Sequence, residues 1–262
     1  MLTSLISAYI ASPHHRGKRQ ILRWALRLVD GKAVRSCYGV LIRSNSRDYT
    51  NFASIGGHLL SNYDDVFAEV IQLEPGMAFV DIGANAGLFS MVACAKVGET
   101  GAVVAFEPSL RSYRDLIENA VLNGVQNFYP FNAAVGNITK IARFAAGRAD
   151  HTGSAHLDDR GEITVLQIHF DDLDSLFEII IGDRATLIKI DVEGAEGQVL
   201  DSIAHFIRKP QVKKIVAEID AENSARFGRS VEGIYSALAE LGFIPRRGMY
   251  SAHHFNEIFE RE

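Results

Sequence analysis

The spacing of apolar and polar positions changes rhythm at about residue 66 of this 262-residue chain. Beyond that point, short apolar runs of strand length alternate with stretches whose apolar residues recur at helical period. "MAFVDI" (77–82), "AVVAFE" (102–107), "NFYPFNAAV" (127–135), "TLIKIDV" (186–192) and "KKIVAEID" (213–220) read as strands. Between them, "GLFSMVACAKV" (87–97) is a helix rich in small residues, suited to packing on a sheet. A second helix starts from a Ser109 cap, runs through Leu110, Tyr113, Ile117 and Val121, and closes at Asn123-Gly124. A third carries Ala195, Val199, Ile203 and Phe206 on one stripe before Pro210, and a fourth spans about 230–241 and ends at Gly242. The tail from Gly242 supplies two final strands. Strand alternating with helix predicts an α/β fold: a mostly parallel sheet with helices on both faces.

Two regions break the alternation. Residues 2–30 have helical spacing, interrupted at "SPHHRGK", and residues 36–56 read as a hairpin in which "CYGVLIRS" and "DYTNFAS" flank "NSR". Residues 137–185 read as an insertion, with "KIARFAA" and "EITVLQIHF" as added strands and "GRADHTGSAHLDDRG" as a mobile loop between them. The expected organisation is therefore an N-terminal helical and hairpin extension (1–65), covering the substrate or making a dimer contact, and a ligand-binding domain (66–262) carrying the insertion.

Composition adds limits. Net charge is -5, so no global basic field points to nucleic acid. The charge is uneven: residues 1–47 hold nine Lys/Arg against Asp30 alone, a local +8, leaving -13 for the remainder. Arg19, Arg23 and Arg27 lie four apart and share one helix face, which reads as a solvated face, as a peripheral contact with an acidic membrane surface, or as a dock for a charged substrate. Cys37 and Cys94 are the only cysteines and have no metal-ligand spacing, which suits a reducing, cytoplasmic setting. No apolar run reaches membrane-spanning length, and the basic residues follow rather than precede the apolar start, unlike a signal peptide.

The candidate chemistry gathers at the strand ends, where parallel α/β sheets bind ligands. Asp81, Glu107, Asp191 with Glu193, and Glu218 all fall there. The turn "DIGANAG" puts Gly83 where the backbone bends or approaches a ligand, and Gly87 where the following helix meets the sheet. Glu107, 24 residues after Gly83, stands where a carboxylate can accept both ribose hydroxyls, a logic shared by NAD and S-adenosylmethionine. The pattern D-x-G-x-N-x-G differs from G-x-G-x-x-G: Asn85 replaces the glycine that admits a pyrophosphate, and Asp81 would repel one. An acid there suits a ligand with an ammonium group. No P-loop motif is present.

"FVDIGANAGLFS", "VVAFEPS", "ENAVLNG", "FNAAVGN", "LDSL" and "IKIDVEGAE", in this order and spacing, resemble the FkbM-type S-adenosylmethionine-dependent methyltransferases over about residues 70–222. The resemblance implies a class I methyltransferase (Rossmann-like) sandwich, with a mostly parallel seven-stranded sheet and an antiparallel C-terminal hairpin. It also implies S-adenosyl-L-methionine as cofactor and methyl transfer to an oxygen on a sugar, polyketide or other small-molecule or glycan acceptor. Carried over by position, the Asp81–Gly87 turn (with Gly83 and Asn85) cradles the methionine end, Glu107 holds the ribose, and Pro108 and Ser109 lie beside the adenine. Asn132 and Ala133 line the adenine pocket, and Asp191 and Glu193 face the methyl group and the acceptor as the catalytic pair.

Asp191 and Glu193 are the candidate bases for a hydroxyl nucleophile, and neighbouring carboxylates raise each other's pKa. The same pair suits Mg²⁺ through oxygen ligands, but no metal site is assigned. His151 and His156, in the insertion loop, are alternative bases, and His169 reads as a strand-face residue. Asp171, Asp172 and Asp174 read as a turn and cap, and the pairs His14-His15 and His253-His254 do not converge as metal ligands. Asn123 reads as a cap, and Asn119 as a brace for a strand end or a surface residue. The competing readings are an NAD-dependent oxidoreductase and a methyltransferase-like binding module without turnover.

Overall fold

A computed structural model describes residues 2–13, 15–56, 64–148, 150–248 and 254–261, with the side chains of Asp64 and His254 excepted. His14 and His253 lie outside the described residues, so neither histidine pair is placed as a pair.

The chain opens with helices α1 (Leu2–Ala11) and α2 (Lys18–Arg27), a hairpin of β1 (Ala33–Arg35) and β2 (Leu41–Arg43), and helices α3 (Tyr49–Gly56) and α4 (Asp64–Val70). The alternating core follows with β3 (Ala78–Ile82), α5 (Leu88–Val97), β4 (Ala102–Phe106), α6 (Leu110–Asn123) and β5 (Phe128–Phe131). Next come the short strands β6 (Ala134–Val135), β7 (Lys140–Ala145), β8 (His156–Leu157) and β9 (Ile163–Ile168), and helix α7 (Asp174–Ile180). The second half runs through β10 (Thr186–Ile190), α8 (Glu196–Ser202), α9 (Ala204–Ile207), β11 (Val212–Asp220), α10 (Ala221–Arg226), α11 (Val231–Glu240), β12 (Phe243–Pro245) and β13 (His254–Arg261).

Seven strands form one sheet in the order β12-β13-β11-β10-β3-β4-β5. The neighbours from β11 to β5 are parallel, and β13 runs antiparallel to both β11 and β12. β3, β4 and β10 are buried along their whole length, which explains their continuous apolar runs. Alternate residues feed two cores. Phe79, Val103, Ala105 and Leu187 pack with the N-terminal elements and α5 and α6. Val80, Val104, Phe106, Ile188 and Ile190 pack with α7, α8 and α11. The N-terminal extension is thus one of the two layers that cover the sheet.

Two expectations change. Residues 36–56 are not one hairpin: the hairpin is β1-β2, with Ala33 paired to Arg43, and residues 49–56 are helix α3. Asp48 explains this, because its carboxylate accepts the Thr50 N–H at 3.0 Å and its carbonyl accepts the Phe52 N–H, which starts a helix where a strand was read. The insertion's strands β7, β8 and β9 form a second sheet together with β6, which precedes the insertion, in the order β6-β9-β7-β8, and the connecting loop is tied down. Asp48 accepts the Thr152 hydroxyl at 2.7 Å and the Thr152 N–H at 3.3 Å, and Thr50 Oγ1 accepts the Gly153 N–H at 2.9 Å. Helix α3 therefore holds the loop by side chains that are themselves buried.

Asn119 and Asn123 tie the extension to the core from α6. Asn119 is buried, donates to the Ala86 carbonyl and accepts from the Arg43 N–H, both at 2.8 Å, and Asn123 bonds both backbone groups of Leu41. Among the described residues no helix is long and apolar enough to cross a membrane.

Candidate functional site

A pocket of about 270 Å³ opens at the carboxyl ends of β3, β4, β10 and β11. Its floor is the turn Gly83–Ala86. One side is Phe106, Glu107, Pro108 and Ala133–Val135, and the other is Lys189, Asp191–Glu193 and Glu218. Helix α3 and the tied insertion loop roof it with Tyr49, Thr50, His151, Thr152 and His156, among others.

The turn has its shape for backbone reasons. Gly83 has φ +83°, and a Cβ there would sit 1.7 Å from the Asp191 carbonyl oxygen, so no side chain fits between the ends of β3 and β10. Gly87 also has positive φ, and a Cβ there would meet Leu116 Cδ1 at 2.2 Å. Gly87 accordingly serves helix packing and does not line the pocket. Asn85 adopts φ 50°, a left-handed conformation that Asn tolerates, and its side-chain oxygen accepts the Ala86 N–H at 2.7 Å.

Glu107 is 6% exposed and anchored by backbone donors: the Asn85 N–H at 2.8 Å and the Ser109 N–H at 2.7 Å. Burial pushes its carboxyl up to about 7 against the pull of those two donors. Asn132 does not enter the pocket. Its amide donates to the carbonyls of Glu107 and Pro108 at 2.8 and 3.2 Å, and so braces the end of β4 from behind. Ser109 is likewise structural, as the cap of α6, with its hydroxyl accepting the Ser112 N–H. Pro108 and Ala133 line the pocket as expected.

Asp81 also lies outside the pocket, fully buried beneath the turn. It accepts the Ser90 hydroxyl at 2.7 Å, and its other oxygen pairs with Lys189 Nζ at 3.2 Å. Lys189 is a site residue outside the set that the sequence motifs single out. Strand register sets it directly opposite Asp81, and its ammonium also reaches Asp191 at 3.1 Å and the Gly83 carbonyl at 3.1 Å. Burial acts to lower its pKa, but Asp191 and Asp81 outweigh that and hold it above the ordinary lysine value. An apolar run containing a single lysine was the available signal: a lysine fully buried in a parallel strand needs a carboxylate partner.

Asp191, Glu193 and Glu218 converge, each offering an oxygen within 4.8 Å of the others, an arrangement able to share protons or to hold a divalent cation. Glu193 sits at φ 56°, uncommon for a non-glycine residue, and accepts from the Asn223 amide at 3.1 Å. Burial, then Asp191, Glu196 and Asp220, raise its carboxyl to about 8. Glu218 is raised well above the ordinary value by burial and then by Asp191 and Glu193, and it hydrogen-bonds Asp191. Behind them, buried Glu196 accepts the Gly194 N–H at 3.0 Å and is raised to about 7, chiefly by burial. Glu218, read from the sequence only as a strand-end acid, thus joins the pair.

A seven-stranded sheet with one antiparallel strand beside its edge, and a pocket over the ends of its parallel strands, define the class I methyltransferase architecture. Residues 81–245 match the Methyltransferase FkbM domain, which is more than half of the chain, and the protein belongs to this family of S-adenosylmethionine-dependent methyltransferases. Membership sets aside the NAD-dependent oxidoreductase reading. No curated protein matches the chain significantly. Among solved structures, the S-adenosylmethionine-dependent O-methyltransferase of Thermotoga maritima aligns over 88% of this chain and 78% of its own, at 12% identity and a TM-score of 0.43. The ribosomal protein L11 methylase of Lactobacillus delbrueckii subsp. bulgaricus aligns over 77% and 80%, at 17% identity and 0.42. Fibrillarin of Aeropyrum pernix, with S-adenosylmethionine natively bound, aligns over 71% and 67%, at 12% identity and 0.41.

Proposed function

We propose that the protein is an O-methyltransferase acting on a hydroxyl of a small-molecule or glycan acceptor, with Glu193 as general base. The observation that carries this reading is the meeting of Asp191, Glu193 and Glu218 at one end of the pocket, opposite Glu107 and the Gly83–Ala86 turn.

The residues present fit S-adenosylmethionine. The turn is clear of side chains at Gly83, Glu107 presents a carboxylate already aligned by two backbone donors, and Pro108 with Ala133 leaves an apolar slot beside it. In this reading Gly83, Asn85, Glu107, Pro108, Ala133 and Asp191 hold the cofactor. Asp81, Gly87, Ser109 and Asn132 shape the site from behind. When bound, the cofactor supplies a methyl group already activated for transfer to a nucleophile. The chain's task is to position the acceptor oxygen and take its proton, as the carbon–oxygen bond forms and the sulfur–methyl bond breaks. Positioning accounts for roughly 7–11 kcal/mol of the barrier in favourable cases, and a well-placed base for roughly 10²–10⁴-fold.

Glu193 suits the base role better than Asp191. A base works best with a pKa near the working pH, and Glu193 is raised to about 8. Asp191 is engaged on both sides, by Lys189 and by Glu218. Glu218 hydrogen-bonds Asp191, and both Glu218 and Glu193 are raised, so the reading assigns the trio to proton handling rather than to Mg²⁺.

The test is methyl transfer from labelled S-adenosylmethionine to a panel of hydroxyl acceptors by the natural protein and by Glu193→Gln. The expected result is transfer to oxygen, a loss of roughly 10²–10⁴-fold in Glu193→Gln, and unchanged cofactor affinity. Transfer to nitrogen or carbon only, or full activity in Glu193→Gln, would contradict the assignment.

A further inference from the structure

A second, open cleft shares a wall with the cofactor pocket. Tyr49 and His151 line both, their ring centres 5.5 Å apart, and the remaining walls of the second cleft are Arg23, Arg47, Arg148 and Asp150. The three arginines come from separate segments: α2, the connection between β2 and α3, and the insertion loop. The Tyr49 N–H donates to the Asp150 carbonyl at 2.9 Å, which joins helix α3 to the insertion loop at this point.

Among the described residues, three guanidinium groups face one carboxylate, a local charge of +2. Asp150 is already engaged, gripping Arg148 through both oxygens at 2.9 and 3.0 Å. Among the described residues, neither Arg23 nor Arg47 forms an ion pair with a carboxylate. Gathering like charges from three segments is unfavourable unless an anion joins them. Guanidinium forks bind phosphate oxygens two at a time, and a phosphate monoester carries roughly -1.5 to -2 near pH 7, which balances the cleft.

We propose that this cleft holds a phosphate ester on the methyl acceptor, so that the substrate is anchored at Arg23 and Arg47 and its hydroxyl reaches over the Tyr49–His151 ring pair toward Glu193. This builds on the methyltransferase reading above and narrows its substrate class. A soluble sugar or polyol phosphate and a lipid-linked phosphate present the same chemistry to the arginines. The exposed face of α2, where Trp24 is 62% exposed beside Arg23, leaves room for either.

The experiment titrates the natural protein and the Arg23→Ala/Arg47→Ala double variant with α-glycerol phosphate, using glycerol as the neutral control, in the presence and absence of S-adenosylhomocysteine. Both arginines are exposed, and S-adenosylhomocysteine affinity reports whether the variant is intact. The expected result is binding of α-glycerol phosphate but not glycerol, weakened about tenfold or more in the variant, as removal of charge-assisted hydrogen bonds predicts. S-adenosylhomocysteine affinity should stay within about twofold of the natural protein's, because the two arginines lie outside the cofactor pocket. Equal binding by both proteins, or none by the natural one, overturns the proposal. Failure of the natural protein to bind S-adenosylhomocysteine would instead strike the methyltransferase reading, while the titration without it still decides the cleft. Co-sedimentation with phosphatidylcholine vesicles containing one-fifth phosphatidic acid separates the sources. Binding lost in the double variant assigns a lipid phosphate, and no vesicle binding alongside α-glycerol phosphate binding assigns a soluble one.

Discussion

Lys189 and Asp81 stand opposite each other on neighbouring strands, and their charges meet 3.2 Å apart at 3% and 0% exposure. The ammonium also bonds the Gly83 carbonyl, so one buried cation fixes both the floor of the pocket and the acid at its reactive end. Replacing Lys189 with Met leaves Asp81 buried without its counter-charge. The expected loss is about 3–5 kcal/mol of stability, measured by urea unfolding. The double variant Asp81→Asn/Lys189→Met should recover much of it, because no fully buried lone charge remains: Asp191, which also loses its lysine partner, is part-exposed to solvent. A Lys189→Met protein as stable as the natural one would mean that the pair does not hold the site.

The roof depends on Asp48. It caps α3 and receives two hydrogen bonds from Thr152 in the insertion loop. Asp48→Ala should release the loop from the helix at a cost of roughly 1–3 kcal/mol. Hydrogen exchange at Thr152 and Gly153 should accelerate while exchange in β3 and β10 stays slow. Unchanged protection of the loop amides would show that other contacts hold the roof.

Stability should fall as pH rises from about 5 to about 8. Glu107 and Glu196 titrate near 7 and Glu193 near 8 in the folded chain, all above the ordinary glutamate value of 4.5. Across that window the native state binds more protons than the unfolded state. The slope is therefore negative, at up to ~1.4 kcal/mol per pH unit for each group still protonated. The contribution is complete below the unfolded value and gone above about 8. Thermal unfolding of the ligand-free protein across this range checks it, and a midpoint that climbs toward pH 8 would contradict the upward shift of these three carboxyls.

The sheet was legible because β3, β4 and β10 are buried on both faces, and such strands appear as unbroken apolar runs between helical stretches. The strand-end acids were legible for the same reason, since each interrupts or ends such a run. What single-residue reading missed depended on partners distant in sequence. Asp81 and Asn132 were placed in the pocket, whereas one answers Lys189 across the sheet and the other holds the backbone after β4. The sequence pattern predicts a strand at helix α3 because its length, eight residues, carries little periodic signal, and it is buried on almost every side, so no polar face marks it. The ordering of the insertion loop was invisible because Asp48 and Thr152 lie 104 residues apart.

The most direct test of the account is calorimetric binding of S-adenosylhomocysteine and of NAD to the natural protein and to Glu107→Ala. The account predicts that S-adenosylhomocysteine binds and NAD does not. It also predicts that Glu107→Ala weakens binding at least about tenfold, the loss of one or more charge-assisted hydrogen bonds. Binding of NAD alone, or full affinity for S-adenosylhomocysteine without the Glu107 carboxylate, would contradict it.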